Sequence, residues 1–181
     1  MDGFGGDWWI VGGYAIEAFT GVPREHEDVD IAFFRKDVDR FREFIGERYH
    51  LWAVGSGALR PLDERFPEMP EWAGQIWMRQ HALAPWLLDL NLQQSEDGLW
   101  VSKRDPEHRL PLDEATWAHT DGVRYQNPEI VLLHKALEHR PKDRADLDAT
   151  WPLLSGARRE WLRESIARLY PGHAWLPMLS A

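Results

Sequence analysis

Two carboxylates one residue apart, set in a stretch that is otherwise as apolar as a buried strand, constrain this chain more than any other feature. The run Glu27-Asp28-Val29-Asp30-Ile31-Ala32-Phe33-Phe34 reads as a strand. Side chains alternate faces with period two, so Asp28 and Asp30 share one face while Val29, Ile31 and Phe33 take the other. Paired carboxylates repel each other, and burial makes each costlier. A divalent cation resolves both problems. An all-oxygen donor set, in a chain with no cysteine and no ordered histidine pair, favours Mg²⁺ over Zn²⁺.

Upstream, Trp8-Trp9-Ile10-Val11 reads as a first buried strand, and Gly12-Gly13 as a turn opening onto a small helix, Tyr14–Phe19. Gly21 stops that helix and Pro23 holds the chain extended into the acidic strand. Paired glycines let backbone N–H groups approach an anion closely, and the helix N-terminus behind them carries partial positive charge. An anion-binding turn beside a metal pair is equipment for a nucleoside triphosphate.

At this point the sequence resembles a known family. Gly12-Gly13-Tyr14-Ala15, then Arg24 and His26 leading into Asp28-Val29-Asp30-Ile31, is similar to the polymerase-beta-like nucleotidyltransferases. The branch it looks most like contains the aminoglycoside and lincosamide nucleotidyltransferases. The resemblance implies an α+β fold: a mixed twisted sheet of the nucleotidyltransferase type flanked by helices, with a C-terminal helical segment. It implies an αβ core over 1–126 and a helical subdomain over 127–181 packed on it. Where many relatives carry Ser or Thr beside the first glycine this chain has Gly13, and there is almost no room for the helix that usually precedes the first strand. Residues Met1–Asp7 read as a frayed, Gly-rich start.

Further along, Arg35-Lys36-Asp37 opens an amphipathic helix with Val38, Phe41, Phe44, Ile45 and Tyr49 on one face. A short strand, Leu51–Val54, follows, and then a loop-like stretch, Gly55–Gly74, that either covers an acceptor or is variable surface. Gln75–Gln80 and Trp86–Leu92 read as strands. In the second, Leu88, Leu90 and Leu92 face one side and Asp89, Asn91 and Gln93 the other. An Asp inside so apolar a run is held by an Arg or by backbone amides, or it serves a metal. The family places a third carboxylate on a neighbouring strand, and Asp89 matches that position.

Glu96-Asp97-Gly98 turns into a hairpin strand, Leu99–Ser102; Leu112–Ala115 is a helical turn or a loop, and Val123–Tyr125 a last strand. Asn127-Pro128-Glu129 marks a helix start running Ile130–His139, with Ile130, Leu133 and Leu137 on the buried side. Lys135 is either a solvated helix lysine or, as the family's Leu-Leu-x-Lys-Ala context implies, a group that reaches the triphosphate. Asp143 is placed to cap the next helix, and a last helix spans Ala157 to about Leu169. The histidines, His134 and His139 among them, show no metal spacing and read as surface or satisfied core residues.

Composition narrows the function. The net charge of −9 argues against broad affinity for nucleic acid. It suits a cationic small substrate drawn to an acidic cleft, or simply keeps the protein soluble. No run approaches membrane-spanning length, and the start lacks a signal peptide's basic flank and apolar core, so a cytoplasmic protein is expected. The 11 tryptophans are mostly core or edge packing, with one or two free to stack on a base or a sugar ring.

The resemblance implies an enzyme that moves a nucleoside monophosphate from ATP or another NTP to a hydroxyl of a small acceptor such as an aminoglycoside-like compound. It implies two Mg²⁺ ions held by Asp28, Asp30 and Asp89, with Asp89 as the base. Gly12 and Gly13 would cradle phosphates, and Arg24 and Lys135 would contact the triphosphate, although Arg24 could equally pair with Glu25 or Glu27. Two rival readings keep the fold. One is a toxin-like transferase modifying RNA or protein; the other is a catalytically silent nucleotide-binding or interaction protein.

Overall fold

The computed structural model describes residues 1–26, 28–138 and 140–179. In chain order the elements are β1 (Trp8–Ile10), α1 (Gly12–Thr20), β2 (Asp30–Phe34), α2 (Val38–Ile45), β3 (His50–Gly55), β4 (Ala58–Pro61), β5 (Gln75–Arg79), β6 (Trp86–Glu96), β7 (Leu99–Val101), β8 (Arg109–Leu110), α3 (Leu112–Ala115), β9 (Thr116–Ala118), β10 (Arg124–Gln126), α4 (Pro128–Ala136), α5 (Pro141–Thr150), α6 (Gly156–Leu169) and α7 (Leu176–Leu179). The main sheet runs β4-β3-β5-β6-β2-β1-β10-β9, and β7 and β8 continue from the far end of β6. Two pairings, β2 with β6 and β1 with β10, are parallel, and the others are antiparallel. The expected α+β class with a mixed sheet is what the chain adopts.

Strand alternation sorts the apolar residues into separate cores. Ile31 and Phe33 of β2, Ile76 and Met78 of β5, and Leu90 and Leu92 of β6 pack against Val38, Phe41 and Ile45 of α2. On the opposite face Trp9, Ala32, Phe34, Trp100 and Ile130 form a second cluster. The Trp9 indole N–H donates across it to Gln126 Oε1 at 2.8 Å. A third cluster joins Ala15 and Ile16 of α1 to α4, α5 and α6 through Leu132, Leu147, Leu162 and Ile166. Helix α1 therefore ties the later helices to the part of the sheet that carries the acidic strand.

The beginning of the chain is not frayed. Phe4 is 3% exposed and meets Phe33 and Phe41 edge-on, with ring centroids 5.6 Å apart in each case. One aromatic side chain just ahead of β1 thus anchors the start of the chain on the core. Phe4→Ala is expected to cost about 3–5 kcal/mol, the range for emptying a buried aromatic site; a denaturant midpoint unchanged from wild type would show the ring to be dispensable.

Other differences have local causes. The stretch between Gly55 and Gly74 contains β4, which pairs with β3. The rest of that stretch is strapped down, because the Arg35 guanidinium donates to the carbonyls of Ala73, Met69 and Pro70. The short strands β8 and β9 escape sequence reading because two or three residues carry no periodicity. The β2 strand begins at Asp30 and Asp28 lies in a bend before it; Glu27, and with it the start of the expected strand, lies outside the described residues. Helix α4 ends at Ala136, Leu137 is 47% exposed rather than buried, and His139 lies outside the described residues. Asn127 occupies the cap position of α4, but its side chain donates to Glu114 O instead of capping. Asp143 sits in the first turn of α5 and accepts from the Arg140 backbone N–H at 3.0 Å.

Candidate functional site

The acidic face is assembled by register. Asp30 at the start of β2 is the direct partner of Asp89 on the parallel strand β6, so both carboxylates leave the same face of the sheet side by side. Asn91 Nδ2 donates to Asp30 Oδ1 at 3.2 Å and Gln75 Nε2 donates to Asp89 Oδ2 at 2.6 Å. The other oxygen of Asp89, Oδ1, is buried with no hydrogen-bond partner. With one oxygen held by an amide and the Trp77 indole N–H acting on the carboxylate, Asp89 is oriented and keeps a spare lone-pair site.

Electrostatics follow from this placement. Burial, and then repulsion from Asp28, raises the pKa of Asp30 above its ordinary value, against the pull of Asn91. Asp89 is pushed up to about 7, again first by burial and then by Asp30, with Trp77 opposing. Lys103, the cation whose charge bears most on Asp89, is itself brought down to about 8 by burial. Its ammonium donates to Gly74 O at 3.1 Å.

Asp28 does not join the pair closely. It lies on an exposed bend, near enough for its charge to raise the pKa of both neighbours. Among the described residues no three histidine, cysteine, aspartate or glutamate side chains are grouped to hold a metal. The structure thus brings together two of the three expected carboxylates and leaves the third at the rim. The donor chemistry still suits a hard divalent cation: two adjacent carboxylates that disfavour joint ionisation, one with an unsatisfied oxygen, flanked by neutral amides.

The glycines explain themselves by contact. Gly12 has φ +65°, and a Cβ built on it would lie 2.2 Å from Asp30 Oδ2. A Cβ on Gly13 would lie 2.0 Å from Arg24 Nη2 and 2.8 Å from His26 Nδ1. The first glycine lets the start of α1 reach the carboxylate; the second lets the following loop fold back over the helix. His26 is stacked on Tyr14 at 3.8 Å and bonds Glu17 Oε2 at 2.8 Å, which pins that loop. Gly12→Ala is expected to lose at least 2 kcal/mol, about half from the left-handed backbone and the rest from displacing Asp30. A melting temperature and divalent-ion affinity both equal to wild type would contradict this contact.

Arg24 and Lys135 are neither solvated nor free. Arg24 Nε donates to Asp146 Oδ1 at 3.0 Å, and Lys135 Nζ lies 2.8 Å from Asp146 Oδ2 and 3.2 Å from Asp143 Oδ1. Arg140 closes the chain of charges on Asp143 at 2.9 Å. The solvated-lysine reading of Lys135 is therefore wrong, since its side chain is 9% exposed. Arg24 pairs with Asp146, not with the Glu25 side chain; Glu27 lies outside the described residues.

A cleft of about 240 Å³ opens where these parts meet, lined among others by Gly12, Asp30, Asn91, Arg104 and Lys135. Burial, together with Arg104 and Lys103, drives the pKa of His134 at its wall down to about 3, so this imidazole is neutral. Gln75, Lys103 and Arg104 carry no motif, and only folding shows their place; Asn91 was detectable through its alternation with Asp89. A wider groove of about 840 Å³ lies between α2 and β3–β4, but it contains neither Asp30 nor Asp89.

The chain is similar to known proteins in part of its sequence and in its fold. A family model described as aminoglycoside-2''-adenylyltransferase matches residues 1–50, the segment holding Gly12, Gly13, Asp28 and Asp30. No curated protein sequence matches the chain. Among solved structures, the antibiotic-resistance factor ANT(2'')-Ia in solution superposes with a TM-score of 0.55 at 17% identity, over 90% of this chain and 83% of its own. A crystal structure of ANT(2'')-Ia with adenylyl-2''-tobramycin gives 0.53 at 16% identity, covering 89% and 87%. The lincosamide antibiotic adenylyltransferase LnuA, with lincomycin bound, gives 0.52 at 20%, covering 79% and 84%. The resemblance to antibiotic nucleotidyltransferases rests on that N-terminal match, and the structural likeness establishes the fold.

Proposed function

We propose that this protein is a nucleotidyltransferase that moves a nucleoside monophosphate, AMP from ATP in the first instance, onto a hydroxyl of a small acceptor of the aminoglycoside or lincosamide kind. The observation that carries the reading is the Asp30–Asp89 pair, held side by side by parallel register and touching the glycine turn that starts α1. The neighbouring structures, which act on or bind antibiotics by their descriptions, support the choice of acceptor.

In this reading residues 1–126 carry the reacting groups and residues 127–181 wall the cleft. Asp30 and Asp89 hold the divalent cation, Mg²⁺ by the family's chemistry, and Asp28 completes the set from its bend. A bound cation of this kind neutralises phosphate charge and orients the attacking and leaving oxygens. Asp89 accepts the proton of the acceptor hydroxyl, a role for which its place beside Asp30 on the neighbouring strand positions it. Asn91 and Gln75 fix the two carboxylates. The Gly12 and Gly13 amides at the start of α1 face the triphosphate. Lys135 sits at the cleft wall, from which it meets the nucleotide while holding Asp146. Arg24 acts through Gly13, by fixing the turn, and not as a free cation for pyrophosphate.

The test is incubation with each NTP, Mg²⁺ and a panel of aminoglycosides and lincosamides, following acceptor mass. Gain of one nucleoside monophosphate, lost in Asp30→Asn, is the expected result. Transfer that survives Asp30→Asn would remove the assignment of the pair.

A further inference from the structure

Three tryptophans that touch one another take no part in any of the three cores, and one of them, Trp77, is the direct partner of Asp89. Trp52 on β3 is in register with Trp77 on β5, Trp77 with Asp89, and Asp89 with Asp30. Direct partners share a face, so Trp52, Trp77, Asp89 and Asp30 form one row across four strands. Trp86, at the start of β6, stands edge-on to Trp77 at 5.3 Å and to Trp52 at 6.3 Å, and it is 39% exposed. None of the three indoles belongs to a buried cluster. Large aromatic rings in a row that the core does not use are a surface for stacking.

A cation is built into that surface. The Arg79 guanidinium lies 4.5 Å from the Trp86 ring centroid and 4.9 Å from that of Trp52. Arg79 Nε is buried without a hydrogen-bond partner, and among the described residues Arg79 makes no ion pair. A guanidinium oriented by two rings but lacking an acceptor oxygen is poised to receive one from a ligand. The position is equally telling. The cleft lined by Gly12, Asp30 and Lys135 lies on one side of the carboxylate pair, and the aromatic row leads away on the other.

We infer that Trp52, Trp77, Trp86 and Arg79 form the acceptor platform, and that it takes a hydroxylated ring compound, neutral or anionic at the end that meets Arg79, in preference to a polyamine sugar. This rests on the nucleotidyl-transfer reading of Asp30 and Asp89, and it narrows the acceptor of that reading away from the polyamine aminoglycosides. The ring's apolar face lies on Trp77 and Trp86, an oxygen substituent accepts from Arg79, and a hydroxyl is presented to Asp89. An ammonium group on that end would face Arg79 with like charge. The acidity that by itself suggests a cationic substrate is met at the Asp89–Asp30 end of the row, whereas the end lined by Trp52 and Trp86 carries the Arg79 cation.

Binding separates the platform from the chemistry. Isothermal titration or saturation-transfer NMR of the full chain, without nucleotide, would use phenyl β-glucoside (neutral), phenyl β-glucuronide (anionic) and neamine (a polyamine) as probes. Both phenyl glycosides should bind about tenfold or more tightly than neamine, and Trp86→Ala and Arg79→Gln should each weaken them by about tenfold. Trp86→Phe should restore most of the loss. Neamine binding as tightly as the glycosides, or glycoside binding within about twofold of wild type in both variants, would overturn the inference. Should the glycosides bind as expected while no acceptor gains a nucleotide, the platform stands and the transferase reading falls.

Discussion

Asp89→Asn is expected to lower turnover by about 10²–10⁴-fold, the usual contribution of a positioned base, while making the metal-free protein more stable at neutral pH. The first effect is the loss of the base; the second comes from the ionisation of Asp89 in the metal-free protein. Burial and the neighbouring Asp30 hold the Asp89 carboxyl at about 7, against an ordinary value of 3.8. The folded chain therefore binds a proton that the unfolded chain has already released, and stability falls as pH rises from about 4 to about 7. Below that window the group is protonated in both states and costs nothing. Above it the full penalty is present, with a ceiling of about 4 kcal/mol at ~1.4 kcal/mol per unit, reduced by the partial exposure of the site. Asparagine keeps the shape and removes the charge. Denaturant melts with chelator at pH 5 and pH 8 should show wild type weakening between them relative to Asp89→Asn. A variant less stable than wild type at pH 8, or one with near-normal turnover, would contradict the account of this residue.

Lys135→Met is expected to cost about 3–5 kcal/mol, because removing one partner from a buried charge network strands the others. The Asp143 side chain is 0% exposed and that of Asp146 4%, so neither can turn to water. Arg24 and Arg140 remain as partial partners, which places the loss toward the lower end. Burial raises the pKa of Asp143, but hydrogen bonds from Arg140 and the charge of Lys135 outweigh it and hold the group below 3.8. The network's support is thus present above that value and lost as pH falls through the folded pKa. Acid unfolding should begin at higher pH in Lys135→Met than in wild type. The second substitution Asp146→Asn, added to Lys135→Met, should recover part of the stability by removing a stranded charge. Full stability in the single variant would mean that Lys135 is free to leave Asp143 and Asp146.

These two residues mark where the sequence was legible and where it was not. Alternation sets Asp30 opposite Ile31 and Phe33 on its strand and Asp89 opposite Leu88, Leu90 and Leu92 on its own, while the family resemblance was needed to expect the two strands side by side. Gly12 and Gly13 stood out for the same local reason, a paired turn between a strand and a helix. What escaped depends on contacts distant in the chain. The Arg24–Asp146 pair spans 122 positions, and nothing near Lys135 announces that its partners lie in the next helix. Phe4 lies within a stretch rich in glycine and looked frayed, yet the cavity it fills is made by Phe33, Phe41 and Phe44. The aromatic row could not be read either, since Trp52, Trp77 and Trp86 meet only through the register of three strands. Asp28 failed differently. Alternation gave it a face, but the strand begins two residues later, so the rule did not apply to it.

The claim on which the rest depends is that Asp30 and Asp89 hold a divalent cation for nucleotide chemistry. Titration of Mn²⁺ into the protein with a non-hydrolysable ATP analogue, followed by electron paramagnetic resonance, tests it directly. Wild type should bind Mn²⁺ in a nucleotide-dependent manner, and Asp30→Asn and Asp89→Asn should each weaken binding by about tenfold or more. Binding that is unchanged in both variants would contradict it.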